Sequence, residues 1–204
     1  MTTTRLQSMA AGFSLVTPDS LSLWHWTEPA KKKVIMGRIG TTVGFADFSE
    51  GACGRGLYTS LSAIDLIDRG NEVVHLHLQA GSRLLMVYPE FSRVGFVELF
   101  EMGLKRLGWH WSPPEQGLSY PAPETYKTST LINELLDAGT CDGCLFSFGM
   151  NLAVMLRTSN RTWMDPEEDL VMLIKDHILR HPEDIPMLAP DKPAQWLRQN
   201  SYGT

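Results

Sequence analysis

The apolar positions of this chain change period several times, and each change marks an element. Residues 21–26, Leu-Ser-Leu-Trp-His-Trp, read as a strand ending near His25. Thr27-Glu28-Pro29 then reads as a helix start, with Thr27 as N-cap and Pro29 in the first turn, and the helix runs to about Met36. Residues 37–56 hold six glycines among 20 positions, which predicts loops. Residues 57–60 form a short strand or turn, and Ser60 or Ser62 is placed to cap a helix that ends at Gly70. Residues 72–78 alternate as a half-buried strand, with Val74, Leu76 and Leu78 on one face and Val73, His75 and His77 on the other. Residues 84–87 are continuously apolar, as buried strands tend to be.

Further on, Phe91, Val94, Val97, Phe100, Leu104 and Leu107 recur at helical spacing and predict an amphipathic helix over 89–107. Residues 108–126, with four prolines and two glycines, predict a loop. Residues 130–138 read as a helix stopped by Gly139. Two strands, 143–147 and 152–158, flank Phe148-Gly149-Met150-Asn151. Asp165-Pro166-Glu167-Glu168 opens a helix to His181 that turns Leu170, Leu173, Ile174 and Ile178 inward. A Pro-rich tail with a short helix near Trp196 completes the chain. Strands and helices mix without the regular rhythm of βαβ units, so the expected class is α+β with mostly antiparallel strands. The expected organisation is a lead-in over 1–18, one domain over 19–181 and a tail over 182–204.

Composition narrows the chemistry. At 204 residues, 43% hydrophobic and 20% charged, the chain suits one globular domain. A net charge of -5 argues against nucleic acid or an anionic membrane as partner, and Lys31-Lys32-Lys33 reads as a solvated helix face. Three cysteines suggest a reducing compartment and no disulfide framework. Cys141 and Cys144 have the spacing of half a zinc site or a redox pair, but no second half completes four ligands. His75 and His77 can both reach one ion, yet no acidic or sulfur partner is implied, and a polar strand face is the simpler reading. No metal is therefore expected. No apolar run has signal-peptide or membrane-spanning length, and Thr2 stands where N-myristoylation needs glycine, so a soluble protein is expected. The Thr/Ser-rich start would also suit export by a specialised bacterial secretion machine.

Two segments carry the most specific signal. Leu23-Trp24-His25-Trp26-Thr27 ends the first strand in a histidine, and 33 residues later Tyr58 sits in Gly54-Arg55-Gly56-Leu57-Tyr58-Thr59-Ser60. A third segment, Cys141-Asp142-Gly143-Cys144, precedes the strands around residues 143–156. Together they resemble the diphtheria-toxin-like, poly(ADP-ribose)-polymerase-like branch of the ADP-ribosyltransferases, over residues 21–158. The resemblance implies a split, mostly antiparallel sheet clasping NAD. His25 would hydrogen-bond a ribose hydroxyl and Tyr58 would stack on the nicotinamide. Trp26, Thr27, Gly54, Arg55, Gly56 and Ser60 would line the NAD site, the glycines letting backbone approach the ligand and Ser60 reaching the carboxamide.

The chain departs from the family's pattern at two places. Trp26 stands where the family usually has a glycine after the histidine. The third catalytic residue, usually Glu, aligns with Asn151, or with Met150 if slipped by one. Asn can bond a ribose hydroxyl but cannot carry negative charge. Glu167, Glu168 and Asp142 substitute only if the fold brings them in. The resemblance implies a mono-ADP-ribosyltransferase of the bacterial effector or toxin type that modifies a protein, with a host signalling protein or ubiquitin-like modifier as targets. Two alternatives stay open: an NAD-degrading toxin using water or phosphate as acceptor, and a binding module of the same fold without activity.

Overall fold

The computed structural model describes residues 14–51, 53–65, 67–86, 132–139, 141–148 and 151–182. The expected helix over 89–107, the loop over 108–126 and the helix near Trp196 lie outside them. The described elements are strands β1 (Ser14–Val16), β2 (Leu21–Thr27), β3 (Glu50–Gly51), β4 (Gly54–Arg55), β5 (Leu57–Ser60), β6 (Glu72–Leu78), β7 (Leu84–Met86), β8 (Gly143–Phe148), β9 (Asn151–Leu156) and β10 (Thr162–Trp163). The helices are α1 (Pro29–Arg38), α2 over residues 132–137 and α3 (Leu170–Arg180).

Eight strands form one sheet in the order β1-β7-β8-β9-β5-β2-β6-β10, and β3 pairs with β4. Every neighbouring pair is antiparallel except β7 and β8. The α+β class with a mostly antiparallel sheet is the observed class. Strand β1 comes from the expected lead-in, whose residues 14–16 pair with β7 at the sheet edge.

The two-residue period of the strands sorts the core onto two faces. Leu21, Leu23, Leu57, Val74, Leu76, Leu78, Val154 and Leu156 share one face with Ile35 of α1 and Phe45 of the following loop. The opposite face carries two separate clusters. Trp24, Trp26, Val73 and Ile67 pack against Ile174, Leu170, Leu173 and Ile178 of α3. Leu85, Cys144, Phe146, Ala153, Met155 and Tyr58 pack with Ile132, Leu135 and Leu136 of α2.

Three element boundaries differ from expectation, each for a local reason. Thr27 does not cap α1: it is the last residue of β2, paired with Glu72, and Glu28 is the cap residue without a side-chain bond. Among the described residues no α-helix lies between β5 and β6. Ser60 Oγ accepts from the Ser62 amide and Ser62 Oγ from the Ile64 amide, so the hydroxyls close turns, and only a 3₁₀ turn forms at Ile67–Arg69. Helix α3 starts at Leu170 rather than 165, because Asp169 Oδ1 accepts from the amides of Val171 and Met172. Asp165 instead closes a turn onto the Glu167 amide. Among the described residues no helix is long and apolar enough to cross a membrane.

Candidate functional site

The site grows from a gap in the sheet. Strands β2 and β6 pair along seven residues, and β5 and β9 along four, but β2 and β5 meet at one pair only, Trp24 opposite Ser60. Continuing that register would set Trp26 against Tyr58. Instead the His25 ring bridges the parting strands, its Nδ1–H donating to the Tyr58 carbonyl at 2.6 Å. That bond assigns the proton to Nδ1 and leaves Nε2 as a bare acceptor. Burial holds His25 below its usual pKa, the Tyr58 carbonyl opposes that and Lys31 adds to it, so the ring is neutral at pH 7.

Where the strands part, the two clusters on the face that carries α2 and α3 leave a cavity of about 300 Å³. Its lining includes Trp24, His25, Trp26, Tyr58, Ser60 and Phe146. Four residues singled out from sequence, His25, Trp26, Tyr58 and Ser60, therefore come together here. The Tyr58 hydroxyl donates to Gly54 O at 2.6 Å and accepts from the Cys53 amide at 3.1 Å, which locks the ring. Burial pushes its pKa up. The ring meets Phe146 edge to face, centroids 5.6 Å apart. Trp26 Nε1 donates to Ala63 O at 2.8 Å, which ties the indole to the turn after β5.

The remaining sequence candidates sit elsewhere. Thr27, Gly54, Arg55 and Gly56 do not line the cavity. The space beside the glycines is filled by the protein itself. A Cβ at Gly54 would meet Asn133 Oδ1 at 2.6 Å, and one at Gly56 would meet Leu156 O at 2.5 Å. The Arg55 amide donates to Asn133 Oδ1, and the Arg55 carbonyl accepts from the buried Arg157. Asn151 opens β9 opposite Phe148, two positions along the strand from Ala153, which lines the cavity; Met150 lies outside the described residues.

None of the three acids considered as substitutes lines the cavity. Asp142 accepts from the Arg83 amide and the Thr158 hydroxyl, tying the ends of β7 and β9. Glu167 is exposed, and Glu168 lies against His75. The carboxylate in the cavity is Asp65, 8% exposed, which accepts from Ser60 Oγ at 2.6 Å. The exposed Arg69 adds the opposite charge. Both were missed because the region read as an ordinary capped helix. The available signal was the pair of serines followed by Asp65, a turn-forming cluster.

The cysteines belong to the α2 cluster. Burial pushes the Cys53 thiol up to about 12 and the Cys144 thiol well above its ordinary value, so both are protonated at neutral pH. A scan of the chain against protein-family models finds no match, and a search of the curated proteins finds none.

Proposed function

We propose that the chain is an NAD-dependent mono-ADP-ribosyltransferase that modifies a protein and releases nicotinamide. The observation that carries this reading is the convergence of two sequence segments 33 residues apart on one cavity, at the point where the sheet parts. A sheet joined there by one residue pair is compatible with the split sheet of the ADP-ribosyltransferases.

The residues suit the chemistry. Cleaving the ribose–nicotinamide bond passes through an oxocarbenium-like state, as in glycoside hydrolysis. The neutral His25 offers Nε2 to a ribose hydroxyl, and the locked Tyr58 ring offers an aromatic face, worth about 0.5–1.5 kcal/mol beyond area. The Asp65 carboxylate supplies the negative charge that Asn151 lacks. It stabilises developing positive charge in a partly dry site, where such an interaction is stronger than in water. Arg69 suits the pyrophosphate, which takes guanidinium donors readily. Ser60 is engaged by Asp65, so its part is to orient that carboxylate.

Incubation with labelled NAD, with and without a cell lysate, tests the proposal. Label on a protein band is the expected result. Free ADP-ribose, or its phosphate, with no labelled protein would replace it with an NAD-degrading activity. No product from folded protein would leave a binding module.

A further inference from the structure

We propose that His75, His77 and Glu168 form a binding site for one divalent transition-metal cation of the zinc type. The two histidines are at i and i+2 on β6, so both project from the same face of the sheet. Glu168 arrives from the turn before α3, held between the Asp165 turn and the Asp169 cap. One donor atom from each residue lies within 4.8 Å of the others. Nothing local pairs this acid with the histidines, because Glu168 follows His77 by about ninety residues and meets it only in the fold.

The carboxylate spans both rings. Glu168 Oε2 is 2.6 Å from His75 Nδ1, and Oε1 is 3.8 Å from His77 Nε2. Bonds near 2.0 Å at the tetrahedral angle place ligand atoms about 3.3 Å apart. The two separations bracket that value but run to different oxygens of one carboxylate, so ligation requires Glu168 to turn one oxygen toward both rings. Both rings are held flat against indoles: His75 on Trp24 at 3.9 Å and His77 on Trp163 at 5.1 Å between centroids. Ligation therefore orders little that is not already ordered.

The donor set decides the class of ion. Two imidazoles and one carboxylate suit zinc, cobalt or nickel, whereas magnesium and calcium prefer oxygen alone. His75 is 4% exposed, but His77 is 22% exposed, so the site opens on the His77 side. A water molecule can complete the coordination there, as in three-ligand zinc sites. Trp24 separates this site from the cavity, stacking on His75 while also lining the cavity.

Calorimetric titration of chelator-dialysed protein with Zn²⁺, and titration with Co²⁺ followed by its visible spectrum, test the site. Saturable one-to-one binding is expected, without thiolate-to-cobalt charge-transfer bands and with a raised melting temperature. Losing a group that only orients a metal ligand costs about 10–100-fold in affinity, so His77→Ala and Glu168→Gln should each weaken binding at least that much. Both positions are partly exposed, and circular dichroism verifies that the variants fold. Absence of saturable binding by the wild-type protein would overturn the proposal. So would binding that survives both substitutions, or thiolate bands pointing to Cys141 and Cys144. None of these readouts depends on NAD chemistry.

Discussion

His25, Tyr58 and Asp65 hold the cavity through bonds that mutation can separate. His25→Ala and Tyr58→Ala should each lower NAD-dependent turnover by about 10²–10³ while the protein stays folded; near-normal turnover in both, with native circular dichroism, would remove the site. Tyr58→Phe distinguishes ring from hydroxyl. It leaves Gly54 O and the Cys53 amide without their partner, which should cost about 1–3 kcal/mol of stability, while turnover at saturating NAD should fall little. Asp65→Asn should lower turnover strongly with a small change in the Michaelis constant; a raised Michaelis constant with unchanged turnover would make Asp65 a binding residue only. The burial of His25 also predicts a pH dependence. Its folded-state pKa is below 6.5, so the unfolded chain binds more protons in the window between the two values. Stability should be flat above about pH 6.5 and fall as acid is added through that window, as thermal melts can follow. His75, depressed mainly by burial, acts in the same direction, so His25→Gln should remove part of the slope. His25 and Tyr58 were legible in sequence because their flanks are specific. Asp65 was not, since the serines before it read as helix caps rather than as the turn that places it beside the cavity.

At the scale of elements, strands were the reliable signal. Strands β6, β8 and β9 stand within a residue or two of where the sequence set them; alternation marked β6, whereas residues 143–146 and 153–156 are buried on successive positions. Helix starts were less legible, since Thr27, Ser60, Ser62 and Asp165 all suit a cap and tertiary pairing or a competing turn claimed each one. Glycines misled in a different way. They resembled a ligand-binding loop, but in the fold they let strands and side chains of the protein approach one another. A Cβ at Gly51 would meet the Tyr58 ring, and one at Gly56 would meet Met155 and Leu156 O. Gly56→Ala should therefore destabilise the protein by about 1–3 kcal/mol in denaturant titrations, with no direct effect on ligand affinity. A variant as stable as the parent would show that β5 and β9 have room to separate.

Within the described sheet, two strand groups are joined by one ladder pair, over a core cluster that spans both. One group is β1-β7-β8-β9-β5 and the other β2-β6-β10, and the chain passes between them at β1–β2, β2–β5, β5–β6, β6–β7 and β9–β10. No single cut separates the groups, so they should melt together. Ile174→Ala, on the buried face of α3, should lower the stability of the whole by about 2–5 kcal/mol in one transition; a melt that splits into two steps would contradict this. The narrow junction at Trp24 and Ser60 has a mechanical consequence. With so little ladder between them, the groups are held at this point by the His25 bond to the Tyr58 carbonyl and by the core cluster beneath, and the cavity lies beside that junction. A molecule held there touches both groups and acts as a splint. Its binding should slow amide exchange in β2 and β5 more than in β7 or β10, which do not line the cavity.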